Sequence, residues 1–143
     1  MTIEVRVLGP GDEKVLQTVA ADVFDIPIDP QLAAEFLHDD HHHLAVALDR
    51  DVVVGFASGV TYVHPDKPLE LWINEVGVAS SHRKQGIGKQ VIHALLAVCR
   101  SKGCREAWVL TDLSNAAAKR LYESIGGTQD PGQTIMYSFK LDQ

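Results

Sequence analysis

The chain has 143 residues, a mass of 15.6 kDa and 45% hydrophobic residues, enough for one core, so a single unit over residues 1–143 is expected. Its net charge of −6 argues against nonspecific nucleic-acid binding, and its longest apolar runs, VVVGFASGV and AWVL, are too short and interrupted to cross a bilayer. The opening MTIEVRVLG reads as a strand rather than a cationic leader, so a cytoplasmic protein with neither a nucleic-acid nor a membrane partner is expected.

Residues 3–8 alternate as a first strand, and Gly9-Pro10-Gly11-Asp12 turns into a helix start. Val15, Val19 and Val23 recur every four residues with Leu16, Ala20 and Phe24 beside them, predicting an amphipathic helix closed by Pro27. Asp29-Pro30 reads as a cap followed by proline at the first helical position, and Leu32, Phe36 and Leu37 line one side of a second, short helix. Residues 44–48 and 52–63 form a predicted hairpin across Asp49-Arg50-Asp51, and residues 69–78 add a strand after His64-Pro65-Asp66.

From Gln85 to about Ser101 the period changes. Ile87, Val91, Leu95 and Cys99 share one helical stripe, and Gly103 ends it. A strand is predicted over 106–111, a helix over 115–125 with Gly126-Gly127 as its C-cap, and a last strand over 133–140. This order predicts one α+β domain with a mixed, mainly antiparallel central sheet flanked by helices.

Charge is split along the chain. Residues 1–81 hold 14 acids and 4 Lys or Arg (4 − 14 = −10), whereas residues 82–143 hold 5 acids and 9 bases (9 − 5 = +4). An anionic ligand on the C-terminal half and a cationic one facing the N-terminal half follow. Cys99 and Cys104 lack CxxC spacing and read as reduced structural thiols. The run His38 to His43 offers no spaced ligand pair, so no metal is expected; it reads as a polar connection, with lining of an acceptor site as the alternative. His64 and His82 flank turns and are expected to be solvent-exposed, with the rim of the anion site as the alternative place for His82.

The segment Arg83-Lys84-Gln85-Gly86-Ile87-Gly88, followed by Lys89, enters the long helix. Helix-start N–H groups and the positive end of the dipole suit an anion such as a diphosphate, with glycines permitting close approach and Arg83, Lys84 or Lys89 adding charge. Taken alone, the run is equally a helix start softened by glycine with solvated bases.

Its surroundings resemble the acetyl-CoA-binding core of the GCN5-related N-acetyltransferase (GNAT) family, in the Arg83-x-x-Gly86-x-Gly88 signature, the preceding WINEVGVASSHR strand, and SNAAAKRLYESIGG downstream. The resemblance is close over about residues 70–128. It implies a GNAT-like fold and acetyl-CoA as cosubstrate, its diphosphate on residues 83–88 and its pantetheine arm beside the backbone of Val76 and Val78. It also implies Asn115 near that arm and the Tyr122 hydroxyl near the sulfur, as the acid for the departing thiolate; a rim aromatic and a helix cap are the structural alternatives. A homodimer is implied as well.

Acetyl transfer to an amine needs a base, and Glu75, one residue before Val76 in an apolar stretch, is the candidate, as base or as the group that orients the acceptor, with burial expected to tune it; a hydrogen-bonded structural carboxylate is the alternative. The Val76 N–H is the candidate oxyanion donor. The acceptor is expected to be a small cationic amine. Within the family the chain looks most like the aminoglycoside 3-N-acetyltransferases, on Arg6-Val7-Leu8-Gly9-Pro10, the Phe24-centred helix and the acid-ended strand before Arg83. The implied function is acetylation of an aminoglycoside 3-amino group in a ternary complex. Alternatives are a polyamine, amino acid or peptide acceptor, or a non-catalytic acyl-CoA-binding regulatory module.

Overall fold

A computed structural model describes residues 2–142. Five strands form one sheet in chain order: β1 (Ile3–Leu8), β2 (His42–Asp49), β3 (Val52–Tyr62), β4 (Glu70–Val78) and β5 (Glu106–Val109). The first four are antiparallel, while β5 joins β4 in parallel after a helical crossover. That is the mixed, mostly antiparallel α+β architecture expected from the element order. Three helices flank the sheet: α1 (Pro30–His38), α2 (Ile87–Ser101) and α3 (Ala116–Ser124).

The two sheet faces are separated by small residues. A Cβ on Gly55 would lie 2.6 Å from Ile87 Cγ2, which shows how closely α2 lies on one face. Ile87, Val91, Ile92, Leu95 and Cys99 are buried there, as the 3.6-residue stripe predicts. A Cβ on Gly77 would lie 2.5 Å from the Val23 carbonyl oxygen and 2.8 Å from the Phe56 ring, on the opposite face. Phe24 stacks on Phe56 there, centroids 4.0 Å apart, so the segment before α1 covers the second face. Asp29 caps α1, accepting from Gln31 N–H at 2.8 Å and Leu32 N–H at 3.2 Å.

Two expected elements differ. The long first helix is only a 3-10 turn, Glu13–Gln17. Its N-cap, Asp12, spends its carboxylate on Gly9 N–H (2.8 Å) and Arg6 (3.5 Å), so the helix start has no side-chain cap. Beyond it the chain turns extended and bonds to β3, with Val53 N–H to Thr18 carbonyl and Ala20 N–H to Val53 carbonyl, both 2.9 Å. These bonds satisfy backbone groups that a helix would have paired internally. The last strand, predicted over 133–140, is not formed: those residues are irregular, with Ile135 71% and Phe139 82% exposed. Among the described residues this segment pairs with no strand, and alternation alone does not make one.

Candidate active site

The site is built where two strands part. β5 pairs with β4 only from Glu70 to Ile73, opposite Glu106 to Val109. Beyond Ile73, β4 continues to Val78 with β3 alone, Val76 opposite Ala57 and Val78 opposite Gly55. Its β5-side edge at Val76 and Val78 is therefore open for an extended ligand to add to the sheet.

The chain then passes through a short 3-10 turn, Ser80–His82, into the N-terminus of α2. The first intrahelical bond runs from Gln90 N–H to the Gly86 carbonyl at 3.1 Å. Ile87, Gly88 and Lys89 precede it, and the N-cap Gly86 supplies no side-chain acceptor. The helix start thus presents free N–H donors and the positive dipole end, rimmed by the exposed side chains of Arg83, Lys84, Gln85 and Lys89.

The two glycines of the signature serve different ends. Gly86 has φ +79° and open space around its missing Cβ, so its backbone conformation requires glycine. Gly88 is buried, and a Cβ there would sit 3.2 Å from Leu121 Cδ2 of α3. Its small size admits α3 beside α2, a packing role that was not expected of it. Lys84, at φ +63°, completes the sharp turn.

The loop is held from both sides by residues that motif reading missed. Asp22, itself at φ +63°, accepts the Ser80 N–H at 3.2 Å. Hydrogen bonding from Ser80 lowers the Asp22 pKa, opposed by partial burial and aided by the Arg83 charge. On the other side His82 Nε2 lies 2.7 Å from Asp49 Oδ2, and its Nδ1 lies 2.7 Å from Ser81 Oγ. The carboxylate only accepts, so Nε2 carries the proton and donates to Asp49. His82 is therefore a largely buried anchor, not the exposed turn residue expected. Its partner is 33 residues away in sequence, and no local signal marks it.

Glu75 is exposed, which corrects the expectation of burial. A β-bulge between the Ser58/Glu75 and Gly59/Ile73 pairs inserts Asn74 and lifts both residues to the surface. Glu75 remains next to Val76 on the open strand and is paired with Ser58, on the face covered by Phe24. Tyr122, on α3, is half-buried against the core, and burial raises its pKa, so the phenol stays protonated at neutral pH. Asn115 is the N-cap of α3, its Oδ1 accepting from Ala118 N–H at 3.0 Å.

On the face opposite α2, residues before α1 enclose a cleft of about 620 Å³ with Phe24, Ile26 and Ile28 as apolar lining and Glu13, Asp22 and Asp25 as acids. The histidine run resolves into separate roles. His43 is buried and bonded to Thr61 Oγ1 at 2.9 Å, while His41 and His42 lie 3.5 and 3.9 Å from Asp39. Burial, with the Lys102 charge behind it, lowers the His43 pKa. Among the described residues no group of three His, Cys, Asp or Glu side chains is placed to hold a metal.

Known proteins share this fold. The model of the Acetyltransferase (GNAT) family matches residues 15–127. N-alpha-acetyltransferase 30 of Schizosaccharomyces pombe is 31% identical over 91 residues, 64% of this chain and 61% of that protein. Aminoglycoside N(6')-acetyltransferase type 1 of Salmonella typhimurium is 30% identical over 106 residues, 70% of this chain and 73% of that protein. The solved structure of AAC(6')-Iy with the bisubstrate analog CoA-S-monomethyl-acetylneamine superposes with a TM-score of 0.79 at 22% identity, covering 98% of this chain and 99% of that one. The resemblance to 3-N-acetyltransferases is thereby corrected: both of these aminoglycoside enzymes are 6'-N-acetyltransferases. In the structure the opening Arg6 to Pro10 is a strand end and turn, and Phe24 covers the sheet by stacking on Phe56. With a family model that spans residues 15–127 and a sheet that parts beside an uncapped helix start, the chain belongs to the acetyltransferase (GNAT) family and is an acetyl-CoA-dependent N-acetyltransferase.

Proposed function

We propose that this enzyme acetylates a primary amine of a small polycationic amino sugar by direct attack in a ternary complex. The parting of β4 from β5 beside the uncapped start of α2 is the observation that carries the reading. In it, the coenzyme diphosphate takes the N–H groups at Gly86 to Lys89, with Arg83, Lys84 and Gln85 at the rim. The pantetheine arm pairs with the backbone of Val76 and Val78, and Asn115 lies along it while capping α3.

Glu75 takes a proton from the acceptor ammonium, directly or through one water, and the freed amine attacks the acetyl carbonyl carbon. The Val76 N–H donates to the oxyanion. As the carbon–sulfur bond breaks, Tyr122 gives its proton to the thiolate. The protons balance: the first leaves nitrogen to Glu75, the second leaves the N-protonated adduct as it collapses and restores Tyr122, whose own proton has gone to sulfur, and the third stays on the amide nitrogen. Supporting the cationic acceptor are the acidic cleft of Glu13, Asp22 and Asp25 and the −10 charge of residues 1–81.

The match to N-alpha-acetyltransferase 30 favours a second reading, a peptide N-terminal amine. Release of coenzyme A thiol from acetyl-CoA, followed across aminoglycosides, polyamines and N-terminal peptides, separates the two. A kcat/KM for aminoglycosides at least tenfold above the peptides upholds the amino-sugar reading, and the reverse order overturns it.

We also infer a homodimer. In residues 133–141 Ile135, Tyr137, Phe139 and Leu141 stand at alternate positions of the sequence, all more than 70% exposed, and β5 ends the sheet with a free edge. A second copy supplies both missing partners, tail on edge.

A further inference from the structure

An aromatic pair that the proposed chemistry does not use lies on the same sheet face as Glu75. Trp72 and Trp108 are direct partners in the parallel β4/β5 register, stacked with centroids 5.6 Å apart and planes at 16°. Trp72 pairs with Val60 and Glu75 with Ser58; Val60 and Ser58 are two apart on β3, so both partners point to one face. Neither tryptophan joins the core cluster, and Trp108 is 36% exposed.

The pair is fixed by polar contacts. The Trp108 indole N–H donates to the Tyr62 hydroxyl, which donates to Glu70 Oε1 at 3.2 Å. The other Glu70 oxygen lies 3.8 Å from His64 Nε2, and the His64 ring meets the Tyr62 ring edge-on at 5.2 Å. Glu106, opposite Glu70 in the β4/β5 register, adds a second carboxylate to the surroundings.

Stacked indoles held rigid beside carboxylates match one ligand chemistry well. The C–H face of a sugar ring packs on indole, and its ammonium groups are drawn to the ring quadrupole and to the acids. Trp72 is three residues from Glu75, roughly 10 Å along the strand, which lies within the span of two or three linked rings. We propose that Trp72, Trp108 and Glu70 form a subsite for a distal ring of a polycationic amino sugar whose reacting amine lies at Glu75. This rests on the amino-sugar reading of the acceptor.

Kinetics of Trp108→Ala and Trp108→Phe, with kanamycin and with spermine as acceptors, test it. Kanamycin brings charge and rings; spermine brings charge alone. The expected result is a rise of about tenfold in the kanamycin KM for Trp108→Ala, the loss of one aromatic contact, and a smaller rise for Trp108→Phe. The kcat and the acetyl-CoA KM stay within about twofold, and the spermine KM rises clearly less than the kanamycin KM, since spermine can lose only the cation–π part of the contact and not the ring stacking. An unchanged kanamycin KM, or an equal rise with spermine, overturns the subsite while leaving the amino-sugar reading intact. If the wild-type enzyme acetylates no amino sugar, that reading fails by itself, and calorimetry with kanamycin decides the subsite. Binding that weakens in Trp108→Ala upholds it, and absent or unchanged binding overturns it.

Discussion

At the residue scale the proposed chemistry rests on two side chains with opposite surroundings. Glu75 is exposed beside the open strand, and Tyr122 is half-buried with its pKa raised by burial. Glu75→Gln should lower kcat about a hundredfold, the size of a lost general base, with acetyl-CoA affinity by calorimetry unchanged. Tyr122→Phe should lower kcat with the same affinity control, and an unchanged rate would remove the thiolate acid. Cys99 gives a prediction that needs no catalysis. Burial, reinforced by Cys104, pushes its thiol from 9.0 up to about 12. Because the folded value is the higher one, its stabilising effect is complete below pH 9 and is lost as pH rises toward about 12. Denaturant midpoints should therefore fall across that interval, less steeply in Cys99→Ala, and the native thiol should resist alkylation at pH 8.

Residue identities were legible in the sequence where chemistry is local to a motif. Gly86, Gly88, Asn115, Tyr122 and the backbone of Val76 and Val78 were singled out by spacing and family pattern; the structure sets Gly86 at the start of α2 and Asn115 at the cap of α3, and their roles toward the coenzyme stand as proposed. The exposure of Glu75 was not legible, because one bulged residue on β4 changes what the strand buries.

Among elements, the start of α2 is the part whose geometry matters most. Gly86→Ala forces a side chain into φ +79° and should cost about 1 kcal/mol of stability while weakening acetyl-CoA binding severalfold. Gly88→Ala instead crowds Leu121, so its first effect should be a lowered Tm through the α2–α3 contact. Differential scanning calorimetry and coenzyme titration, run together, distinguish the two. The loop between β4 and α2 is anchored by Asp49 and Asp22, which belong to the β2/β3 hairpin and the N-terminal segment. Asp49→Ala should raise the acetyl-CoA KM severalfold with kcat within about twofold, and cost about 1 to 3 kcal/mol for the unpaired imidazole donor. An unchanged KM would show that the anchor does not position the loop.

Helix α2 could be read directly, since a 15-residue stripe at period 3.6 with its glycine stop admits no competing structure. The first helix could not, because its apolar spacing also suits a chain that runs extended along β3. What decides between them is where Asp12 spends its carboxylate and where Thr18 and Ala20 find backbone partners.

For the whole molecule, the open β5 edge and the exposed tail predict self-association. Sedimentation of the full chain should give a dimer, and truncation after Gly127 should give a monomer; a monomeric full chain would overturn the tail-on-edge arrangement. Acid should also loosen the fold through His43. Its folded pKa is depressed, so its contribution is present above pH 6.5 and is lost as pH falls and the unfolded chain takes up the proton. Urea midpoints measured from pH 7 to 5 should fall less in His43→Gln than in the native chain.

The sequence by itself determined the antiparallel β2/β3 hairpin, the helix that follows β4, and the glycine-bearing start of that helix, because each depends on residues within a few turns or one strand of each other. Only the tertiary structure decided that Gly88 makes room for Leu121, that Asp22 and Asp49 hold the loop between β4 and α2, that Glu75 stands in solvent, and that Trp72 and Trp108 share its face. Those facts depend on contacts between segments tens of residues apart, set by register and close packing, and no local pattern encodes them.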